Sequence, residues 1–388
     1  WYGIPYAKAP EGELRWKAPR DFEFTSNRFD ATKLPNRCVQ VSNFYDELIN
    51  GQKEGTIFGS EDCLYLNIFS PADSFKSDKK LPVMFWIHGG GNTWGYSASP
   101  MYIPTNFLKF HDVILVTVNY RLGPFGWFSV PDLNSNSYEP LDQSPNFGTL
   151  DMIKSLEWVN QNISSFGGDP NNITIFGESA GARNVLSLYL AESAENLFQR
   201  GIVQSGYLVS DDLEYSRNNP VSGSMTFVKS SLNKKNSNMN PMTLKETLED
   251  VDNLGDYLRD LSKEEIISFY RVREDAGGLI DVPNVIPDGI IIPEEGIFES
   301  YVRGMTVLEA KGRGRQRGFT EMNTGVEYGD FLPKLKVEII LEDELVDKAV
   351  EAIIKSTNTN RIGDGKIFVS NIETITRIRT GETGSDAL

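Results

Sequence analysis

Gly177-Glu178-Ser179-Ala180-Gly181 decides the fold, because this stretch stands between a predicted strand and a predicted helix. The strand is a short apolar run at residues 173–176, and the helix has apolar residues at helical spacing over residues 185–190. A sharp turn from strand to helix projects the hydroxyl of Ser179 above the sheet edge, where only small side chains clear the crowded backbone. We therefore predict that Ser179 is a nucleophile, although the five-residue pattern alone also arises by chance.

Apolar runs of strand length alternate with helical stretches around this motif. Strands are predicted at residues 64–69, 83–87, 113–118 and 173–176. Between the last two, helical spacing predicts a crossover helix over residues 146–162, which Gly167-Gly168-Asp169-Pro170 ends. This alternation indicates an α/β fold with a mostly parallel sheet. Residues 208–245 are rich in Ser and Asn, and we predict an irregular loop there.

Length and charge limit the class of protein. A chain of 388 residues predicts two or three domains, at roughly 100–200 residues per domain. The net charge of -16 opposes binding to phosphate backbones and to anionic lipid, so neither nucleic acid nor a membrane is expected as a partner. Two cysteines and two histidines lack the paired spacing of a zinc cage, so no metal site built from protein ligands is expected.

Cys38 and Cys63 are the only cysteines, and two interpretations of them stay open. They are either buried free thiols or the ends of a disulfide, which would stabilise the fold by roughly 3 kcal/mol.

A second motif follows the predicted strand at residues 83–87. In His88-Gly89-Gly90-Gly91, a glycine loop can present backbone N–H groups to a developing oxyanion, and we predict Gly90, Gly91 and Ala180 as the donors. Each such donor typically stabilises a transition state by about 3 kcal/mol. The alternative is that three glycines only make a flexible turn, which the elbow on a neighbouring strand end argues against.

A serine nucleophile needs a histidine base, and neither histidine fits this role. His111 precedes a predicted strand, whereas Ser179 follows one, so in a parallel sheet the two lie at opposite ends, roughly 20 Å apart. His88 lies at the correct edge but belongs to the glycine loop, and in this fold the base follows the nucleophile in chain order.

The sequence up to about residue 300 resembles the type-B carboxylesterase and cholinesterase family. The matching stretches are Gly3-Ile4-Pro5-Tyr6-Ala7, Glu61-Asp62-Cys63-Leu64-Tyr65-Leu66-Asn67, the His88 loop, Val118-Asn119-Tyr120-Arg121 and Phe166-Gly167-Gly168-Asp169-Pro170. The resemblance implies an α/β-hydrolase core over residues 1–300, with a mostly parallel sheet and helices on both faces. It also implies hydrolysis of a small-molecule carboxylic ester through an acyl-serine, with no cofactor.

The same resemblance assigns further residues. It implies a disulfide between Cys38 and Cys63, and it places Glu178 near the substrate rather than in the catalytic triad. The triad acid and histidine of the family lie beyond the segment that residues 285–293 resemble, where the second module begins. The resemblance therefore implies an incomplete triad and at most residual esterase turnover.

From Gly304 onward the sequence resembles the PII family of nitrogen-regulatory signal proteins. The resemblance rests on Gly304-Met305-Thr306-Val307, Lys311-Gly312-Arg313-Gly314-Arg315-Gln316, Glu327-Tyr328, Phe331-Leu332-Pro333-Lys334, Ile362-Gly363-Asp364-Gly365-Lys366 and Arg377-Ile378-Arg379. Physically, the turn at residues 363–366 suits phosphate, and two alternating arginines share a strand face. From the residues alone, an ordinary hairpin turn with solvated arginines is equally acceptable.

The PII resemblance implies a partial ferredoxin-like α+β domain over residues 301–388 that lacks its first strand, for which residues 290–293 are a candidate replacement. It implies a homotrimer that binds ATP or ADP with Mg2+, and 2-oxoglutarate at Gln316 and Lys334. Tyr328 matches a tyrosine that is uridylylated in some members. The implied nucleotide site comprises Thr306, Gly312, Gly314, Arg315, Gly363, Asp364, Gly365, Lys366, Arg377 and Arg379.

Three hypotheses on function follow. The first is an esterase module fused to an ATP- and 2-oxoglutarate-sensing regulator of nitrogen metabolism, and the second is a nucleotide-binding regulatory protein only. The third is an artificial or misassembled chimera without coupled activity, which we favour because both modules are cut within their folds and no flexible linker joins them. The implied compartments also conflict: a disulfide suits a secreted or periplasmic protein, whereas nucleotide sensing is cytoplasmic.

Overall fold

A computed structural model describes most of the chain. It covers residues 1–26, 28–72, 74, 80–235, 251–273, 279–282, 284–301, 305–312, 332–340, 343–357, 366–376 and 381–384. The chain divides into two compact units, Trp1–Phe298 and Glu299–Leu388. No helix among these residues combines the length and apolar character needed to cross a membrane.

The first unit is built on a six-stranded, mostly parallel sheet. Its strands are β1 Ile4–Pro5, β4 Tyr65–Phe69, β5 Leu81–Ile87, β6 Ile114–Val118, β7 Gly168–Glu178 and β8 Arg200–Gln204, in the spatial order β1-β4-β6-β5-β7-β8. The pairs β6–β5, β5–β7 and β7–β8 are parallel, whereas β1–β4 and β4–β6 are antiparallel. Two small antiparallel pairs lie outside this sheet: β2 Gln40–Val41 with β3 Ile57–Phe58, and β9 Val272–Arg273 with β10 Leu279–Ile280.

Ten helices of the first unit and its end are described. They are α1 Phe44–Asn50, α2 Phe107–Phe110, α3 Gly123–Gly126, α4 Phe147–Asn162, α5 Ala180–Leu190, α6 Leu213–Asn218, α7 Ser224–Lys235, α8 Val251–Asp260, α9 Lys263–Ile267 and α10 Gly296–Tyr301. Short 3-10 helices add Gly12–Leu14, Pro100–Tyr102, Pro140–Gln143, Ile163–Phe166 and Glu192–Ala194. Helices α4 and α5 pack against the parallel strands.

The core lies between the sheet and these two helices. One face of β5 and β7 is fully buried, through Val83, Phe85, Ile87, Ile173 and Ile175, each at 0% exposure. Burial of five such aliphatic and aromatic side chains contributes on the order of 10 kcal/mol, at about 2 kcal/mol each. The sequence alternation of β5, with inward residues separated by less buried ones, produces this face directly.

The predicted order of strands and the crossover helix agree with the structure, which extends β5 and β7 beyond the predicted ends. The predicted irregular loop at residues 208–245 is wrong in part, since α6 and α7 lie within it. The side chain of Asp212 accepts a hydrogen bond from the N–H of Tyr215 at 3.0 Å and caps α6. In α7, Phe227, Val228 and Leu232 are buried, an apolar spacing that the many Ser and Asn residues obscured.

A disulfide joins Cys38 and Cys63, as the family resemblance implied. Both cysteines are buried, and the loop between them carries α1. The bridge therefore anchors this loop to the start of β4.

The second unit contains an antiparallel pair of strands, β11 Met305–Gly312 and β12 Leu332–Ile339, followed by α11 Asp343–Thr357. The suggestion that residues 290–293 replace the missing first strand of this unit is wrong, because Ile291 and Ile292 are buried in the core of the first unit. That core gains two fully buried aliphatic side chains from them.

Candidate active site

Ser179 lies at the turn between β7 and α5. Its backbone has φ 56° and ψ -121°, a conformation that non-glycine residues rarely adopt and that stores on the order of 1–3 kcal/mol of strain. The N–H of Ser179 donates to the carbonyl oxygen of Gln204 at 2.9 Å, which ties the turn to the end of β8. The side chain of Ser179 is half-buried, so its hydroxyl is fixed and reachable.

The two glycines of the motif allow three chain segments to meet at this turn. A Cβ atom on Gly177 would lie 2.5 Å from the carbonyl carbon of Gly181 and 2.8 Å from the carbonyl oxygen of Ile87. A Cβ atom on Gly181 would overlap the same oxygen of Ile87 and lie 2.7 Å from that of His88. Larger residues at either position would therefore push α5 away from β5.

The glycine loop passes directly over the turn. A Cβ atom on Gly89 would lie 3.3 Å from the Cβ atom of Ser179. Gly90 and Gly91 have φ 95° and 62°, in the left-handed region that glycine tolerates. The backbone N–H groups of Gly90, Gly91 and Ala180 donate to none of the residues that the structure describes. The three predicted donors are thus brought together with Ser179, at the carboxyl ends of neighbouring parallel strands.

His88 is packed beneath this loop. Its ring is buried, stacks on the ring of Tyr120 with centroids 4.5 Å apart, and has Nδ1 2.9 Å from the carbonyl oxygen of Gly89. Burial lowers the pKa of His88 to about 4, so the ring is neutral near neutral pH. The ring is held by these contacts, and no hydrogen bond joins it to Ser179.

His111 lies at the other end of the sheet, as predicted. It ends α2 and precedes β6, in which Val118 pairs with Ile87 of β5, and Ile87 in turn pairs with Gly177. Ser179 is therefore level with the carboxyl end of β6, and His111 precedes the amino end. The hydroxyl of Ser179 forms no hydrogen bond with any residue in the described part of the chain.

Glu178 is exposed beside the turn. Its Oε2 atom would lie 3.2 Å from a Cβ atom on Gly89, so the carboxylate borders the glycine loop. Burial raises the pKa of Tyr102 to about 12, and the negative charge of Glu178 adds to this increase. Glu178 therefore lies at the rim of the site, where the resemblance placed it.

A polar network behind the glycine loop was missed by sequence reasoning. The side chain of Asn284 donates to the carbonyl oxygen of Gly91 at 3.4 Å and accepts from Asn92 at 2.9 Å. The guanidinium of Arg183 also donates to the Asn284 side chain, while the Arg183 Nε atom is buried and has no hydrogen-bond partner among described residues. The N–H of Asn284 donates to Asp211 at 2.9 Å.

This network holds a buried positive charge next to the loop. Burial lowers the pKa of Arg183 and raises the pKa of Asp211, and the attraction between the two groups opposes both shifts. Arg183 also lies over the ring of Tyr207, 4.9 Å from its centroid. Asn92 follows the loop in sequence and could have been noted, whereas nothing in the sequence links Asn284 to it.

Residues 1–304 match the model of the carboxylesterase family. This chain belongs to the carboxylesterase family. Among its relatives, the para-nitrobenzyl esterase of Bacillus subtilis is 43% identical over 210 residues, and carboxylesterase 1E of Mus musculus is 37% identical over 297 residues. These alignments cover 53% and 75% of this chain but only 40% and 50% of the relatives. The carboxylesterase chain described here thus spans about half the length of the curated relatives it matches.

Solved carboxylesterase structures share the fold. A structure of PNB esterase has a TM-score of 0.56 at 32% identity and covers 76% of this chain and 54% of its own. The carboxylesterase of Geobacillus stearothermophilus at pH 6.2 has a TM-score of 0.54 at 35% identity and covers 75% of this chain and 52% of its own. The α/β-hydrolase fold of the esterase module follows from these matches.

Residues 294–382 match the model of the nitrogen regulatory protein P-II. Of the sequence-predicted nucleotide and 2-oxoglutarate residues, Thr306 and Gly312 lie on β11 and Lys334 on β12, opposite Ala310. Lys366 is exposed. The other predicted residues lie outside the described residues: Gly314, Arg315, Gln316, Tyr328, Gly363, Asp364, Gly365, Arg377 and Arg379.

Proposed function

We propose that residues 1–304 form the acyl-accepting half of a carboxylesterase site. The Oγ atom of Ser179 attacks the carbonyl carbon of a small-molecule carboxylic ester, the alcohol leaves, and an ester bond to Ser179 forms. The N–H groups of Gly90, Gly91 and Ala180 bind the oxyanion, and no cofactor takes part. The observation that carries this proposal is the strained turn of Ser179 directly beneath Gly89.

Turnover is limited to a residual rate, because no imidazole of the described chain reaches Ser179. In a complete triad, loss of the histidine alone costs on the order of a million-fold in kcat, while the oxyanion donors and binding keep roughly a thousand-fold or more over water. Acylation of Ser179 is therefore slow and stoichiometric rather than catalytic. Glu178 borders the substrate and does not replace the triad acid.

Labelling with a fluorophosphonate probe tests this role. We expect intact-protein mass spectrometry to show one adduct per chain, absent in Ser179→Ala and retained in Ser205→Ala. With p-nitrophenyl acetate we expect no turnover above that of Ser179→Ala. Multiple turnovers that disappear in Ser179→Ala would show that a base is present after all.

For the second module, we propose binding of ATP or ADP with Mg2+, and of 2-oxoglutarate, between the subunits of a homotrimer. The match of residues 294–382 to the P-II family supports this function. Thr306, Gly312, Gly314, Arg315, Gly363, Asp364, Gly365, Lys366, Arg377 and Arg379 hold the nucleotide, Gln316 and Lys334 hold 2-oxoglutarate, and Tyr328 is the modification site.

Calorimetry and light scattering test this second function. We expect saturable ATP binding at micromolar concentration, reduced at least tenfold in Lys366→Ala and unchanged in the control Lys109→Ala. The mass from light scattering should be that of three chains. A chain that binds no nucleotide would refute the proposal for this module.

We further propose that the two functions are uncoupled, since each module is incomplete and the matched family segments overlap at residues 294–304. The expected result is an equal rate of Ser179 labelling with and without saturating ATP. A change in this rate would show coupling and would argue against an accidental chimera.

A further inference from the structure

One face of the parallel sheet is covered only in part. Trp86 of β5 pairs in register with Phe176 of β7, which pairs with Ile202 of β8. Residues in register on parallel strands point to the same side, so these three side chains form one row. The rings of Trp86 and Phe176 have centroids 4.8 Å apart. We call this row, with the adjacent Met84, the open face.

Coverage of the open face decreases toward β8. Thr117 of β6, which continues the row beside Trp86, is fully buried, whereas Trp86 and Phe176 are half-buried and Ile202 is 44% exposed. The Nε1 atom of Trp86 has no hydrogen-bond partner among described residues. Tyr102, with its ring 5.2 Å from that of Trp86, is a described neighbour on this side.

The opposite face shows what full coverage looks like. Tyr189 of α5 packs against Gly201, which pairs with the fully buried Ile175. Sheets with parallel strands normally have both faces covered. The open face therefore lacks a layer that the other face has.

The edge of the sheet is incomplete as well. β8 is the last strand in the sheet order, and no described strand pairs with its outer side. Arg200, Ile202, Val203 and Gln204 are all exposed. An outer edge of this kind presents unpaired N–H and C=O groups to another strand.

The relatives indicate what completes this surface. The matched part of the chain corresponds to 54% of the PNB esterase structure and 50% of carboxylesterase 1E, and from residue 294 the chain matches P-II instead. The half that completes those proteins has no counterpart here. A sheet that is left open by one half of such a protein is a surface on which the other half fits.

We propose that the open face and the outer edge of β8 form a docking surface for a separate polypeptide that contains the remaining half of a carboxylesterase. One strand of this partner adds parallel to β8, and an apolar helix covers Trp86, Phe176 and Ile202. A second copy of this chain fits less well, because two chains of net charge -16 repel each other.

The docking surface also leads to Ser179. The carbonyl oxygen of Gln204 accepts the N–H of Ser179, so β8 ends beside the nucleophile. A strand that adds parallel to β8 has its carboxyl end at the same edge, where side chains of the following loop reach the site. An imidazole on that loop supplies the missing base. This last step rests on the proposed role of Ser179, whereas docking itself does not.

Coexpression tests the docking surface. The probe is the C-terminal part of the para-nitrobenzyl esterase of Bacillus subtilis that follows its match with this chain, produced together with the affinity-tagged full chain. We expect equimolar copurification, reduced at least tenfold by Ile202→Glu. Val221→Glu is the matched control, because Val221 and Ile202 are 46% and 44% exposed. We also expect p-nitrophenyl ester turnover in the pair that requires Ser179 and a histidine of the added fragment.

The outcomes separate docking from catalysis. Copurification that depends on Ile202 but gives no turnover supports the docking surface and refutes the role of Ser179. A soluble tagged chain that purifies without the fragment, or equal recovery with Ile202→Glu, overturns the docking surface. A dimer of the chain alone that Ile202→Glu dissociates assigns the face to a second copy and also overturns it.

Discussion

Gly89 lies over Ser179 at the distance of direct backbone contact. A Cβ atom on Gly89 would lie 3.3 Å from the Cβ atom of Ser179 and 2.7 Å from the carbonyl oxygen of Glu178. The glycine loop and the serine turn therefore have no room for even one extra methyl group between them, and the position of the oxyanion donors depends on this contact.

Gly89→Ala should slow labelling of Ser179 by a fluorophosphonate by about 100-fold or more. The added methyl group displaces the loop, and loss of one oxyanion donor costs on the order of 100- to 1,000-fold. Gly255→Ala is the control, since a Cβ atom there faces chiefly the flexible end of Arg259. The rate is followed by intact-protein mass spectrometry, and an unchanged rate in Gly89→Ala would argue against the proposed donors.

His88 should make the first unit less stable in acid. Burial lowers its pKa from 6.5 to about 4, so the unfolded chain binds the proton more readily between these values. The stabilisation is complete above pH 6.5 and is lost as the pH falls toward 4, by about 3 kcal/mol of the free energy of unfolding.

Urea unfolding followed by tryptophan fluorescence measures this effect, because all six tryptophans lie in the first unit. The difference in free energy between the parent chain and His88→Phe should shrink between pH 7 and pH 4. His111→Gln on the surface is the control. A difference that is constant with pH would contradict the buried, neutral state of His88.

Asn284→Ala should destabilise the first unit by about 3 kcal/mol. The substitution removes an acceptor from the buried guanidinium of Arg183, and an unsatisfied buried charged group is costly. It also frees Gly91, so labelling of Ser179 should slow. Asn218→Ala, which removes an exposed hydrogen bond to Glu214 at 2.8 Å, is the control. Equal stability of the two variants would refute the structural role of Asn284.

Cys63→Ala together with Cys38→Ala should lower the free energy of unfolding by roughly 3–4 kcal/mol. The bridge closes a loop with a sequence separation of 25, and the chain-entropy model gives this magnitude for such a loop. Thermal unfolding of the parent chain with and without dithiothreitol checks the same quantity. A parent chain that melts at the same temperature in both conditions would show that the bridge contributes little.

Local sequence chemistry was sufficient for the centre of the site. The turn at Ser179 and the loop at Gly89 depend on neighbouring glycines and on the strands before them, and both were predicted from spacing alone. The opposite placement of His111 followed from strand direction, and the register of β5, β6 and β7 agrees with it.

Features that depend on distant residues could not be predicted. Arg183 and Asn284 meet across 101 positions of sequence, and no periodic pattern connects them. Helix α7 was missed because its buried Phe227 and Leu232 stand among polar residues that usually mark loops. The open face arises from what does not cover Ile202, and a sequence carries no direct signal for a missing neighbour.

The fastening of residues 284–292 to the first unit has a consequence for recombination. Asn284 is bound to Gly91 and Asp211, and Ile291 and Ile292 are buried, so this segment is anchored shortly before residue 298. A different gene segment spliced after that point starts from a secured end and does not unravel the core it leaves behind. The locus can thus exchange its downstream cargo while the upstream fold persists.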